Sequence, residues 1–218
     1  MLNETAIDYK NSLYSELSKI GKSLSSEKRL EIMDLLAQGP KTVEGLATES
    51  GMSIANTSRH LQVLREGNLV SRHKEGKFVF YTLASNKVME LFYLLRDVGK
   101  EQLSEINRIQ NDFNDKEQIT SLTLEEAMKK MRQGNTVLLD VRPKEEYDNG
   151  HMDQAKNIPI DELQEKVDSI STDKSIIVYC RGQLCAYANM ATKILNEQGR
   201  KAYSLNESYY DWKMFNKN

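Results

Sequence analysis

A short apolar run that ends in a cysteine constrains the fold of this chain more than any other feature. Residues 176–179 (Ile-Ile-Val-Tyr) have the composition of a buried strand, Cys180 follows them, and a helical pattern begins near Ala186. Backbone N–H groups converge where a strand feeds a short loop that opens a helix. A thiol at such a place lies in a positive field that lowers its pKa, so we expect Cys180 to be a reactive thiolate.

The composition is that of an ordinary globular protein and indicates one large domain or two small ones. The 218 residues are 39% hydrophobic and 28% charged, with a formal net charge of −2. No apolar run reaches the ~20 residues of a membrane span, and the N-terminus lacks the basic and then apolar pattern of a signal peptide. We therefore expect a cytoplasmic protein with no membrane partner, whose two cysteines serve chemistry rather than a structural disulfide.

The first half of the chain contains a predicted helix-turn-helix. One short helix spans about 42–50, a second runs from the capping residue Ser53 to about Glu66, and Gly51 lies in the turn between them. The pattern assigns Ile54, Leu61 and Leu64 to the core. The outer face is rich in hydrogen-bonding groups and suits the major groove of double-stranded DNA, although an amphipathic surface helix would look similar. The predicted DNA-binding residues of this helix are Ser53, Asn56, Thr57, Ser58, Arg59, His60 and Gln62.

A predicted β-hairpin follows and favours the DNA-binding interpretation over a merely solvated surface. Its strands are residues 69–74 and 77–83, joined by a two-residue turn at Glu75-Gly76. Between residues 53 and 81 there are five Lys or Arg against two Glu, a local balance of +3. The basic residues of the hairpin, which we expect to contact phosphates, are Arg72, Lys74 and Lys77.

Residues 42–83 resemble the winged helix-turn-helix of ArsR-type bacterial transcriptional regulators, and the likeness extends over about 15–105. Residues 53–70 are similar to that family's recognition helix and the start of its wing. The resemblance implies a homodimer that binds an inverted-repeat operator and represses. It also implies a dimer interface formed by the helix near 3–20 and the helix from Asn86 onward. The apolar stripe of the later helix, which could also pack within its own domain, comprises Val88, Leu91, Phe92, Leu95 and Val98.

Many members of that family sense metals, and this sequence departs from their pattern. The helix at 42–50 has no cysteine, the helix from 86 onward has no histidine, and the three histidines of the chain are scattered. We therefore expect no metal site and no cofactor.

The second half alternates between strand and helix patterns. Residues 111–118 are polar and charge-rich and predict a linker between a first domain at 1–110 and a second at 119–218. Within the second domain, Thr123 and Glu126 form a capping box, and β and α segments alternate to the end of the chain. This order predicts a parallel sheet with its functional site at the carboxyl ends of the strands, where Cys180 falls.

The second domain resembles the rhodanese family in residues 138–147, 150–159 and 179–182 and in the late Trp212. The fold class implied is two domains: a mainly-α winged helix-turn-helix followed by an α/β rhodanese domain with a parallel sheet. The resemblance implies that Cys180 accepts a sulfane sulfur as a persulfide from a small donor (thiosulfate, a persulfide or polysulfide). Backbone N–H groups of Gly182, Gln183 and Leu184 would help to hold it, and Arg181 could bind an anionic donor or point to solvent.

The loop from Cys180 to Cys185 has six residues, as in sulfurtransferases, whereas related phosphatases and arsenate reductases use a longer loop. The sequence departs from the family at Cys185, at Glu207-Ser208 and at Asp153-Gln154. Asp140, Arg142 and His151 match family positions, and we assign them to holding the fold.

The role of Cys185 stays open between two interpretations. It is either a small packed residue or a resolving thiol that attacks a persulfide on Cys180.

Two functions remain open as well. One is a transcriptional regulator that carries, and responds to, sulfane sulfur on Cys180. The other is a sulfurtransferase whose first domain serves for dimerisation.

Overall fold

The computed structural model describes residues 2–217, which divide into two compact units. The first unit ends at Gly99 and the second begins at Lys100, whereas the first domain is predicted to end at residue 110. The outermost residues of the predicted domains, Met1 and Asn218, lie outside the described residues.

The first unit is mainly helical and contains one small antiparallel sheet. Its strand order is β1-β3-β2. The elements in chain order are α1 (Leu2–Leu24), α2 (Glu27–Ala37), β1 (Lys41–Thr42), α3 (Val43–Ser50), α4 (Ile54–Glu66), β2 (Val70–Glu75), β3 (Phe78–Leu83) and α5 (Asn86–Gln102).

The turn between α3 and α4 forms as the sequence predicts. Gly51 ends α3 in the left-handed region at φ 65°, which glycine adopts without steric cost. The Ser53 hydroxyl then accepts a hydrogen bond from the Asn56 N–H and caps α4. Leu46 and Leu61 are buried, which fixes the two helices as a helix-turn-helix. The hairpin turn lies at Gly76-Lys77, one residue later than predicted, because Glu75 pairs with Phe78.

The second unit is an α/β fold around a parallel sheet. Its strand order is β4-β8-β7-β5-β6, and every pairing within it is parallel. The elements in chain order are α6 (Ser104–Glu117), β4 (Ser121–Leu122), α7 (Leu124–Arg132), β5 (Thr136–Asp140), α8 (Lys144–Asn149), β6 (Lys156–Asn157), α9 (Leu163–Lys166) continued by a 3₁₀ turn (Val167–Ser169), β7 (Ser175–Tyr179), α10 (Tyr187–Glu197), β8 (Ala202–Leu205) and α11 (Tyr209–Phe215).

The central strand β7 is buried on both faces, as its unbroken apolar run predicts. Ile176 and Val178 face one core with the buried residues of α10. Ile177 and Tyr179 face the opposite core, which Trp212 of α11 borders. Cys180 therefore leaves the carboxyl end of the most enclosed strand of the sheet.

Residues 111–117 of the predicted linker belong to the regular helix α6. Residues 104–117 are each exposed or half-buried, and the half-buried ones include Ile106, Gln110 and Phe113 on one side of the helix. Polar contacts also hold the helix on the second unit: Asn189 Nδ2 donates to Asn114 Oδ1 at 2.7 Å, and Lys193 pairs with Glu117.

Among residues 2–217, the helices lack the combination of length and apolar character that crossing a membrane requires.

Candidate functional site

The outer face of α4 presents most of the polar side chains that the sequence assigns to it. Asn56, Ser58, Arg59 and Gln62 are exposed, and His60 is half-buried. Ser53 is exposed as well, and its hydroxyl oxygen also caps the helix. Arg59 combines a fixed charge with exposure and is the strongest candidate on this helix for a phosphate or a base edge.

Two assignments on α4 are wrong. Thr57 is 0% exposed, and its hydroxyl donates to the Ser53 carbonyl at 3.0 Å, so this side chain faces the core. Ile54 is 52% exposed and was expected in the core. The reason is helix phase: Thr57 lies four residues before Leu61 and seven before Leu64, which places all three on the buried stripe. We therefore remove Thr57 from the predicted DNA contacts.

The hairpin carries exposed cations on β2 and at its turn. Arg72 and Lys74 alternate with His73 on β2 and therefore project from one face of the hairpin. Lys77 lies at the turn, with its Nζ 5.3 Å from the centre of the Phe78 ring. The predicted phosphate-contacting residues of the hairpin thus all reach solvent.

Two helices of the first unit expose apolar stripes. The predicted stripe on α5 divides: Phe92 is buried within the unit, whereas Leu91, Leu95 and Val98 are exposed together with Leu94. Helix α1 exposes a second apolar set, comprising Ile7, Leu13, Tyr14 and Leu17. Contiguous apolar surface of this kind marks an interaction site.

In the second unit, the loop after β7 is built around Gly182. Its φ is 103°, in the left-handed region, and a Cβ there would lie 3.0 Å from Ser208 Cβ and 3.1 Å from the Ser208 backbone nitrogen. Only glycine fits this conformation and this close approach. The Cys185 N–H donates to the Gly182 carbonyl at 3.0 Å and closes the loop.

The two cysteines face each other across this loop. Their Sγ atoms are 3.4 Å apart, Cys180 is 1% exposed, and Cys185 is half-buried. The hydrogen bond between the two Sγ atoms, together with the backbone N–H groups of Tyr187 and Arg181, lowers the pKa of Cys185 to about 6. The same hydrogen bond, together with burial, raises the pKa of Cys180.

The expectation of a lowered pKa at Cys180 is therefore wrong for the pair with both thiols reduced. The first proton leaves the more exposed sulfur, because burial penalises a thiolate at Cys180 more strongly.

Arg181 does not point to solvent. Its Nε donates to Glu146 Oε2 at 2.9 Å and its Nη2 donates to Oε1 at 2.5 Å, with only 9% and 2% of the two side chains exposed. This buried pair anchors the loop to α8 and occupies the guanidinium that was a candidate for binding an anionic donor. Glu146 is absent from the predicted site residues, because 35 residues of chain separate it from Arg181.

The loop backbone is also held from α6. Gln110 Nε2 donates to the Gln183 carbonyl oxygen at 2.8 Å. The Gln183 side chain lies 3.3 Å from a carboxylate oxygen of Glu207, and Leu184 is exposed. Nothing in the local sequence around Gln110 points to this contact, which spans 73 residues of chain.

Asp140 and Arg142, which the sequence assigns to holding the fold, form a buried ion pair. Asp140 and Arg142 are 0% and 1% exposed; Arg142 donates to both carboxylate oxygens and, through Nη2, to the Gly150 carbonyl at 2.8 Å. The ring of His151 stacks on Tyr147 with centroids 3.8 Å apart.

Within the described residues, groups of three or more His, Cys, Asp or Glu in a metal-binding arrangement are absent.

Two families match separate parts of the chain. Residues 26–72 match the family described as "Bacterial regulatory protein, arsR family". Residues 123–215 match the family described as "Rhodanese-like domain".

One relative matches nearly the whole chain. The HTH-type transcriptional regulator Rv0324 of Mycobacterium tuberculosis is 36% identical over 207 residues, which cover 95% of this chain and 91% of the relative. The transcriptional repressor SdpR of Bacillus subtilis is 29% identical over 97 residues, 44% of this chain and 100% of the repressor.

Among solved structures, the chain is similar to a homodimeric winged helix-turn-helix DNA-binding domain from Mycobacterium bovis, described as a possible ArsR-family transcriptional regulator. The identity is 41%, the match covers 44% of this chain and 89% of that chain, and the TM-score is 0.43.

Proposed function

The chain belongs to the arsR family of bacterial regulatory proteins and carries a C-terminal rhodanese-like domain, and we propose that it is a cytoplasmic, homodimeric repressor whose affinity for its operator depends on sulfane sulfur carried by Cys180. The observation that carries the sulfur part is the position of Cys180. It directly follows the central strand and begins a six-residue loop that the hydrogen bond from the Cys185 N–H to the Gly182 carbonyl closes.

The exposed cations of α4 and the hairpin support operator binding. Arg59 on the helix and Arg72, Lys74 and Lys77 on the hairpin present fixed positive charge to solvent within one unit. Neutralising phosphates with such groups releases counterions, so the affinity should fall steeply with salt.

The exposed stripes of α1 and α5 support the homodimer. Burying Leu91, Leu94, Leu95 and Val98 against a second copy would remove them from water, at about 25 cal/mol per Å² of apolar surface. A dimer also matches the two-fold symmetry of an inverted-repeat operator.

The contacts of the loop favour sulfur carriage over rapid turnover. The Cys180 thiol is buried, and the Arg181 guanidinium is already bound by Glu146 and so contributes little to the capture of thiosulfate. A persulfide on Cys180 would be shielded from solvent thiols, which slows its transfer to an external acceptor.

Helix α6 supports coupling between the sulfur state and DNA binding. It holds the Gln183 carbonyl through Gln110, and Leu103 alone separates it from α5 in the chain. Because residues 104–117 are at most half-buried and polar contacts dock the helix, water can replace those contacts at modest cost. A change in the loop could therefore shift α6 and reach the proposed dimer helix.

The DNA-binding part is tested by titrating the full chain into a labelled duplex from the region upstream of its own coding sequence, at two salt concentrations. We expect specific binding that weakens with salt. Failure to bind in the reduced, the sulfur-treated and the oxidised states alike would refute the repressor.

The sulfur part is tested by intact-mass analysis after treatment with thiosulfate or polysulfide. We expect Cys180→Ser to abolish sulfur uptake. Uptake that is unchanged in Cys180→Ser would refute the role of Cys180.

A further inference from the structure

The pair of facing thiols gives the loop a second chemical step beyond carrying sulfur. We propose that the Cys185 thiolate displaces the outer sulfur of a Cys180 persulfide as hydrosulfide and closes a Cys180–Cys185 disulfide. This step rests on the proposed function, because it starts from the persulfide on Cys180. The domain would then be an intramolecular persulfide reductase, which forms one disulfide for each sulfane sulfur that it reduces.

The distance between the sulfurs suits this attack. The Sγ atoms are 3.4 Å apart with both thiols reduced, within the roughly 3–3.5 Å of a near-attack arrangement. The Sγ of Cys180 is the inner sulfur of the persulfide and therefore already faces Cys185. An external thiol must instead reach a cysteine that is 1% exposed.

The ionisation of the pair supports the assignment of Cys185 as the attacking group. The thiolate is the nucleophile in thiol–disulfide exchange. In the persulfide the Cys180 sulfur has no proton to donate, so there the pKa of Cys185 is lowered by backbone N–H groups and by the Arg181 charge. The backbone N–H groups of Tyr187 and Arg181 donate hydrogen bonds to the Cys185 sulfur before the attack.

The step balances without a further oxidant. The electron pair of the Cys185 thiolate forms the new bond to Cys180 Sγ, and the bond from Cys180 Sγ to the outer sulfur breaks. That bond's electron pair leaves with the outer sulfur as hydrosulfide. The two cysteine sulfurs are oxidised to the disulfide, while the sulfane sulfur is reduced. Two equivalents of a low-molecular-weight thiol return both cysteines to the thiol state and are themselves oxidised to a disulfide.

Closing the bond also changes the loop. A disulfide bond is about 2.05 Å long, so the sulfurs must approach by roughly 1.3 Å from their reduced separation. Gly182 is packed against Ser208, and the Gln183 carbonyl accepts a hydrogen bond from Gln110. The loop must therefore move while these two contacts restrain it. Formation of the disulfide therefore changes the loop conformation, whereas a persulfide forms on Cys180 with the backbone of the reduced loop unchanged.

The test treats the reduced full chain with a limiting amount of inorganic polysulfide and measures two quantities. One is the hydrosulfide released per chain, and the other is the intact mass after alkylation in denaturant. We expect the wild-type chain to release hydrosulfide as its two thiols become an unalkylated disulfide. We expect Cys185→Ser to keep one additional sulfur atom on Cys180 and to release none from that persulfide.

The outcomes separate this step from the function on which it rests. A Cys185→Ser chain that holds the sulfur, beside a wild-type chain that also keeps its persulfide and an alkylatable second thiol, overturns the proposed step alone. A Cys185→Ser chain that gains no sulfur overturns carriage on Cys180, and the proposed step with it. Cys180→Ser controls for sulfur held by Cys185 itself and should form no intramolecular disulfide.

Discussion

Replacing Asp140 by Asn should destabilise the second unit strongly while leaving its shape nearly unchanged. Arg142 is 1% exposed and donates Nε and Nη2 hydrogen bonds to the Asp140 carboxylate, which also accepts from the Arg142 backbone N–H at 2.9 Å. Removing one partner of a buried ion pair typically costs about 3–5 kcal/mol, because the other charge stays buried without compensation. The expected loss is a factor of about 10²–10⁴ in the folding equilibrium.

The chain provides its own probe for this measurement. Trp212 is its one tryptophan and lies in α11 of the second unit, so its fluorescence in a urea titration follows that unit. With an m-value of about 1–3 kcal/mol per M, the midpoint should fall by at least about 1 M.

Asp148→Asn is the matched control, because it removes the same charge from the exposed pair with Lys144 and should leave the midpoint unchanged. Equal midpoints for Asp140→Asn and the wild type would refute the argument that this buried pair holds the site.

Three further substitutions probe the operator surface, the loop and the thiol pair. Arg59→Ala should weaken operator binding by about 1–3 kcal/mol if Arg59 reads a base, or reduce the salt dependence if it contacts phosphate; unchanged anisotropy titrations would remove it from the interface. Gly182→Ala should lower the stability of the second unit and abolish sulfur uptake. Gly134→Ala is its control, with a left-handed φ of 79° but open space around the Cβ position. Cys185 should be alkylated half-maximally near pH 6, since its thiolate exists above its lowered pKa of about 6, and Cys180→Ala should move this midpoint upward by removing the hydrogen bond. A midpoint near the ordinary ~8.5 of a free thiol in both proteins would contradict the pairing.

Features governed by neighbours in the chain could be predicted from the sequence. The apolar run 176–179 gave the central strand and the position of Cys180 at its carboxyl end. The capping box of Thr123 and Glu126 forms as predicted. In each case a local pattern determines the structure, because hydrogen bonds within a few residues or burial on both faces decide the outcome.

The features that failed depend on contacts between distant residues. Residues 111–117 have the composition of a linker, yet they continue the helix α6, where Asn189 and Lys193 bind Asn114 and Glu117 across the fold. The pKa values of the thiols depend on a sulfur–sulfur distance that the loop conformation sets. The residues next to Arg181 in the sequence do not reveal its partner, because Glu146 of another helix binds it.

The proposed coupling between the cysteine loop and DNA binding can be tested at the hydrogen bond from Gln110 to the Gln183 carbonyl. Gln110→Ala removes the bond to the Gln183 carbonyl and should leave operator binding by the reduced protein intact while reducing its response to sulfur. Asn111, exposed on the same helix, provides the control substitution Asn111→Ala. An undiminished response in Gln110→Ala would exclude this bond from the coupling.

The affinity of the full chain for its operator, measured before and after treatment with inorganic polysulfide, tests the central claim most directly. We predict that treatment weakens binding by the wild type about 5–150-fold, the range of a typical coupling free energy. Cys180→Ser should bind like the untreated wild type and should not respond. Equal affinity of the wild type in both states, or a full response in Cys180→Ser, would contradict a repressor controlled by sulfur on Cys180.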